Sequence, residues 1–171
     1  MYESEKSIEG PANPAREEFP APIGKLLGLT VISSGTGRAT VEFEATRRYA
    51  NPMGTLHGGV LCDIADAAMG VAYRNTLAED ESFTTLELKI NFLRPVWSAK
   101  LRAKARMVRA GKSVGLVECD VVDEQERLVA RASSTCMILR GPLADGRRPR
   151  ASSFAAANRN MGMDHSETRK V

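Results

Sequence analysis

Between Asn51 and Asp66 the chain reads NPMGTLHGGVLCDIAD, a stretch that concentrates groups suited to acyl-transfer chemistry. Gly58 and Gly59 stand where an apolar, alanine-rich run begins. Glycines at a helix start let a ligand approach the backbone closely, and the N–H groups of the first turn have no partner within the helix. A carbonyl oxygen held against the Gly58 N–H would also meet the positive end of the helix dipole, in the manner of an oxyanion hole. A glycine pair alone is more often a tight turn. Asn51 and His57 place two more polar groups ahead of the same helix end. Taken singly, His57 reads as a loop or N-cap histidine that satisfies backbone groups. Its assigned role is to position the turn, not to act as a base.

The most informative side chain is an acid inside an otherwise apolar helix, because aspartate is a poor helix former and a buried carboxylate is costly without a partner or a purpose. Asp63 and Asp66 both qualify by type. Asp63 falls near the first turn, where the dipole alone accounts for a carboxylate. Asp66 lies about two turns in, where that account fades. It could activate water or attack a carbonyl directly. A structural ion pair to Arg47, Arg48 or Arg74 explains it equally well on physical grounds.

These residues need a frame. The run VLCDIADAAMGVAYRNTLA is apolar on nearly every face and rich in small residues, which predicts an enclosed central helix. Before it, Phe19 to Leu29 offers a short helical turn after two prolines, and Val31 to Ser34 and Arg38 to Ala45 read as two strands around Gly35-Thr36-Gly37. After it come strands at Thr84 to Leu93, Lys100 to Ala110, Ser113 to Asp123 and Leu128 to Leu139, expected as an antiparallel meander. In the first of these, Leu86, Leu88, Ile90 and Phe92 alternate with polar residues and are expected on one face. An α+β fold follows, a curved antiparallel sheet of about six strands wrapped around one long helix. Its edges and remaining apolar surface predict association by sheet extension or helix packing.

Three segments divide the 171 residues: an N-terminal arm over 1–18, a single domain over 19–140, and an extension over 141–171 that is partly disordered or helical. The composition, 43% hydrophobic and 26% charged, is that of a soluble globular protein without a membrane-spanning run. The N-terminus has no apolar core of a secretory signal, so a cytoplasmic location is the default expectation. With 24 basic and 21 acidic residues, and much of the basic excess near the C-terminus, nothing points to nucleic acid. Cys62, Cys119 and Cys136 sit in apolar patterns without metal-like pairing and read as reduced core residues. His57 and His165 are the two histidines, which leaves little material for a metal site.

The segment NPMGTLHGGVLCDIADAAMG, followed by TTLELKINFLRPV, resembles the hotdog-fold acyl-coenzyme A thioesterases of the phenylacetic-acid-degradation (PaaI-like) type, from about Phe19 to Arg140. That resemblance implies a hotdog fold and hydrolysis of an acyl-coenzyme A to free acid and coenzyme A, with no cofactor beyond the coenzyme A of the substrate. It implies Asp66 as the catalytic carboxylate, the Gly58 backbone N–H as oxyanion donor, and Asn51 and His57 as residues orienting thioester and water. Thr85 matches a position where a hydroxyl from the facing subunit helps hold the attacking water. The family's site is shared between two subunits, which implies at least a homodimer and, by the family's habit of pairing dimers, a homotetramer. The chemistry fits the residues: one oxyanion, one base, and a thiolate that leaves without a strong acid.

Substrate contacts are expected from Gly59 and from Met53, Leu61 and Met69 along an acyl pocket, and from Arg94, Lys112 and Ser113 near the phosphates of coenzyme A. Two alternatives use the same fold. One is a non-catalytic acyl-coenzyme A-binding or regulatory protein, and the other a 3-hydroxyacyl thioester dehydratase, which would want a histidine base on the acyl chain. The acyl group itself is not written in the sequence.

Overall fold

Alternation builds the strands. In Arg38–Ala45 every second residue, Ala39, Val41, Phe43 and Ala45, is buried, while Arg38 and Glu44 are exposed, the period of a strand with one face on a core. A computed structural model describes residues 16–147 of the chain. In order, these form β1 (Glu17–Glu18), α1 (Pro22–Leu27), β2 (Thr30–Gly35), β3 (Arg38–Ala45), a 3-10 turn (Arg47–Tyr49), α2 (Gly58–Arg74), β4 (Ser82–Phe92), β5 (Ala99–Ala110), β6 (Val114–Val122), β7 (Leu128–Leu139) and a second 3-10 turn (Gly141–Leu143). One seven-stranded antiparallel sheet results, in the order β1-β2-β3-β5-β6-β7-β4. The long helix α2 lies mainly across β3, β5 and β6. This is the hotdog arrangement.

The helix is held by Leu61, Ile64, Ala65, Ala68, Met69, Val71 and Ala72, all buried against the sheet. A fully buried side chain the size of Ile64 or Met69 contributes roughly 1.5–3 kcal/mol. Tyr73 closes the far end of the core, its hydroxyl donating to the Cys136 carbonyl at 3.2 Å. Its ring crosses β6 at Gly115, where a Cβ would stand 2.6 Å from Tyr73 Cε2, so only glycine lets helix and strand approach there.

Four expectations change. The meander holds for β5, β6 and β7, but β4 pairs with β7 at the far edge instead of with β5, because α2 first carries the chain across the sheet. The helix is enclosed on one side only: Gly59, Asp63 and Asp66 are exposed and Cys62, Ala67 and Gly70 half-buried on the other. Part of the expected arm is sheet, since Glu17 and Glu18 pair with Val31 and Thr30. The extension starts as a docked turn, with Ala144 buried and the Ser82 hydroxyl donating to the Arg147 carbonyl at 2.8 Å. The rest of the extension, with His165, and most of the arm lie outside the described residues.

Candidate active site

The loop before α2 is organised by Asn51. Its Oδ1 accepts from the Met53 amide at 2.9 Å and the Thr55 amide at 3.3 Å, and its Nδ2 donates to Thr55 Oγ1 at 2.9 Å. Asparagine favours such turns because its side chain stands in for a strand partner. The loop is tied down further by the Leu56 amide donating to the Val96 carbonyl at 2.7 Å and the His57 amide to the Tyr49 carbonyl at 2.9 Å. Asn51 therefore spends most of its hydrogen-bonding capacity on the loop.

His57 is the N-cap of α2, its Nδ1 accepting from the Gly59 amide at 2.9 Å. An accepting Nδ1 leaves the ring hydrogen on Nε2, which makes the exposed edge of the ring a donor and not a base. The cap uses up the Gly59 N–H. The Gly58 N–H, by contrast, has no acceptor among the described residues. The Phe92 ring lies over the glycine, 3.0 Å from where a Cβ would stand.

Asp66 lies on the open side of α2, and the Thr85 hydroxyl donates to its Oδ1 at 3.4 Å. That contact depends on a bulge. The β4–β7 register pairs Thr85 with Cys136 and then Glu87 with Thr135, leaving Leu86 as the extra residue. Before the bulge Phe83 faces the helix, its ring 5.1 Å from that of Tyr73. After it Leu88 and Ile90 pack on the core and Phe92 covers Gly58. A bulge changes which residues face in, so Thr85 turns to the helix and Leu86 turns out, 54% exposed. The uninterrupted alternation expected from Leu86 to Phe92 is thereby corrected. Within one chain, Thr85 and Asp66 arrive together as a pair.

The carboxyl of Asp66 reaches solvent, yet atoms packed around it desolvate it and raise its pKa; the Thr85 hydrogen bond acts against the rise, and the nearby Asp63 adds to it. No described cation pairs with it. Arg74 donates to the Ala78 carbonyl and Arg48 lies over the Tyr49 ring, so the ion pair weighed from the sequence is not formed. Burial raises the thiol pKa of Cys62 and of Cys136, beside Thr85, and pushes Cys119 up to about 12. Thiols so shifted are poor nucleophiles.

One chain brings some expected residues together and separates others. Leu61 and Met69 are 4% and 1% exposed, because they lie on the face of α2 that packs on the sheet. They are core residues and do not line the open side. Met53, 80% exposed, is on the loop surface. Arg94 follows β4 at the Gly58 end, whereas Lys112 and Ser113 form the β5–β6 turn, next to the start of β4 through the Ile138 amide bound to the Ser113 carbonyl. The length of β4 between Phe83 and Phe92 puts these groups roughly 30 Å apart in one chain. Trp97 and Arg127, which share a hollow with Arg94, were not singled out from the sequence. Among the described residues no cluster of His, Cys, Asp or Glu could hold a metal, and no helix is long and apolar enough to cross a membrane.

Residues 53–130 match the family model described as the thioesterase superfamily. The chain is 30% identical over 112 residues to 1,4-dihydroxy-2-naphthoyl-CoA hydrolase of Listeria monocytogenes, covering 66% of this chain and 91% of that one. It is 34% identical over 108 residues to acyl-coenzyme A thioesterase PaaI of Escherichia coli, covering 62% and 74%. Among solved structures, a conserved protein of Pseudomonas aeruginosa superimposes with a TM-score of 0.68 at 35% identity, covering 74% of this chain and all of that one.

Proposed function

Because the chain belongs to the thioesterase superfamily and is a thioester hydrolase, we propose that it cleaves an acyl-coenzyme A to the free acid and coenzyme A at a site made by two copies of the chain. Asp66 activates water as general base or attacks the carbonyl as nucleophile, and the Gly58 N–H polarises the carbonyl oxygen. The observation that carries this reading is the pair formed by Asp66 and Thr85 on the open side of α2, in a helix whose first amide has no acceptor.

Distance makes the second copy necessary. Eight residues separate Gly58 from Asp66, about 12 Å along a helix, too far for both to act on one carbonyl group. Two helices related antiparallel by a two-fold axis bring the acid of each to the amide of the other. Such an axis would pass beside residue 62, the midpoint, on a face of small side chains: Gly59, Cys62, Ala67 and Gly70. The edge strand β4, with Leu86 and Phe92 exposed and Leu93 exposed just beyond it, supports joining the sheets across the same axis. A homodimer is the minimum unit under this reading, and a homotetramer pairs two of them.

In such a site the roles follow from chemistry. Attack on the thioester carbon moves charge to the carbonyl oxygen, where the Gly58 N–H and the helix dipole stabilise it. The ionised Asp66 takes the proton of water held with the Thr85 hydroxyl, and the coenzyme A thiolate leaves. Asn51 and His57 keep the loop and the first helical turn in place, with His57 Nε2–H available as a donor. The test is release of free thiol from a panel of aromatic, short-chain and long-chain acyl-coenzyme A substrates. Turnover of at least one class well above the Asp66→Asn background is expected; binding without turnover across the panel would favour a ligand-sensing role.

A further inference from the structure

Beside the loop that precedes α2, the connection from β4 to β5 folds around a hollow of about 300 Å³, lined by Arg94, Val96, Trp97, Ser98, Asp123 and Arg127 among others. That volume is at the lower end of small-molecule sites. Three features give it a chemical character. Trp97 is 60% exposed, an unusual placement for so large an apolar ring. Arg94 makes no side-chain hydrogen bond or ion pair among the described residues; its amide alone is engaged, donating to the Val129 carbonyl at 3.1 Å. Asp123 is already satisfied: Arg127 Nε donates to Oδ2 at 2.7 Å, and the amides of Gln125 and Arg127 donate to Oδ1 at 3.0 and 2.9 Å. The single acid of the lining is thus neutralised by Arg127, which leaves the charge of Arg94 uncompensated.

An exposed indole next to an unpaired guanidinium is equipment for a ring that carries phosphate: the indole offers a stacking face, and arginine matches phosphate geometry. The hollow is also in the right place. Its Val96 carbonyl holds the Leu56 amide at 2.7 Å, next to the cap of α2. From Phe92, whose ring covers Gly58, the chain to Trp97 spans at most about 17 Å, within reach of the pantetheine arm of coenzyme A.

We propose that this hollow holds the nucleotide end of coenzyme A, with the Trp97 indole stacked on the purine and the Arg94 guanidinium paired with phosphate. In this role the hollow depends on the coenzyme A substrate proposed above, and it adds two residues, Trp97 and the Arg127 that neutralises Asp123, to the substrate contacts. It also explains how an open cleft gains affinity for a leaving group whose reacting end is only a thioester.

Trp97 is the one tryptophan of the chain, so its fluorescence reports on the hollow directly and without turnover. Titration with adenosine 3′,5′-bisphosphate should quench it saturably, and Arg94→Gln should weaken that binding on the order of tenfold, with the remainder less sensitive to salt. In steady-state assays Trp97→Ala should raise KM for an acyl-coenzyme A on the order of tenfold. Trp97→Phe should recover most of the loss, and the penalty should vanish on the corresponding acyl-pantetheine, which lacks the nucleotide. Failure of the bisphosphate to change the fluorescence at millimolar concentration, or an equal KM penalty on both substrates, would overturn the assignment. Hydrolysis of acyl-pantetheine separates the two readings: its presence without nucleotide quenching removes the hollow and keeps the hydrolase, and quenching without any hydrolysis keeps the hollow and removes the hydrolase.

Discussion

The two sides of the molecule treat charge in opposite ways. On the sheet face turned away from α2, acids are matched with cations: Asp120 with Arg131, Glu118 with Arg106, Glu126 with Lys104 and Arg102, and the buried Glu42 with Arg16, Lys100 and Arg102. On the open side of α2, Asp66 has a hydroxyl for a partner and no described cation, and the Gly58 N–H has no acceptor. Paired surface charges keep a sheet face soluble and specific at little gain in stability. An amide without an acceptor and a desolvated carboxyl without a cation can keep their interactions for a ligand, and perturbed carboxyls gather in working sites.

The contrast can be broken by substitution on either side. The largest effect is expected for Asp66→Asn, which should lower kcat on the order of 10³-fold with KM retained. The variant should not be less stable. A carboxyl whose pKa is raised on folding holds its proton more tightly when folded, so it favours the fold at low pH and costs stability once pH rises past the folded value. Removing it should leave Tm at neutral pH equal to or above that of the parent, as thermal denaturation would show. Gly58→Pro comes next: proline is accepted at the first helical position but lacks the N–H, the exposed Phe92 ring has to give way by a few tenths of an ångström to its Cβ, and kcat should fall on the order of 10²-fold. A loss confined to KM would remove the amide from the chemistry.

Thr85→Val sharpens the comparison further. It deletes a bond that lowers the Asp66 pKa, so kcat should drop about tenfold. The acid limb of kcat/KM should move to higher pH, because the hydrogen bond that lowers the Asp66 pKa is gone. An acid limb that stays in place would detach Thr85 from Asp66. The smallest effect belongs to the other face: Arg131→Ala removes a two-pronged contact with Asp120 at 2.6 and 2.8 Å. Because the pair is exposed, Tm should scarcely change, with turnover intact.

Much of this was readable along the chain. The β3 and β7 boundaries follow from alternation, and the start of α2 from the glycine pair behind a capping residue. The role of His57 as a cap was likewise open to inspection. What escaped was non-local. The bulge at Leu86 carries no local signature, since Leu86 continues a regular apolar pattern and only pairing with β7 shows it to be the extra residue. The edge position of β4 depends on where α2 delivers the chain. Leu61 and Met69 looked suited to a pocket because the helix is apolar nearly all round; packing on the sheet, and not composition, decides which side is covered. Trp97 and Arg127 are 30 positions apart and meet only when β5 and β7 are folded into one sheet.

Subunit complementation tests the shared site most directly. Asp66→Asn and Gly58→Pro chains, each expected to be nearly inactive, are to be mixed in equal amounts under conditions that allow subunit exchange. If the acid of one chain works with the amide of the other, half of the dimers are mixed and each has one intact site, so roughly a quarter of the parent activity should return. If both groups act within one chain, every mixed site retains a defect, and activity at the level of the separate variants would contradict the account.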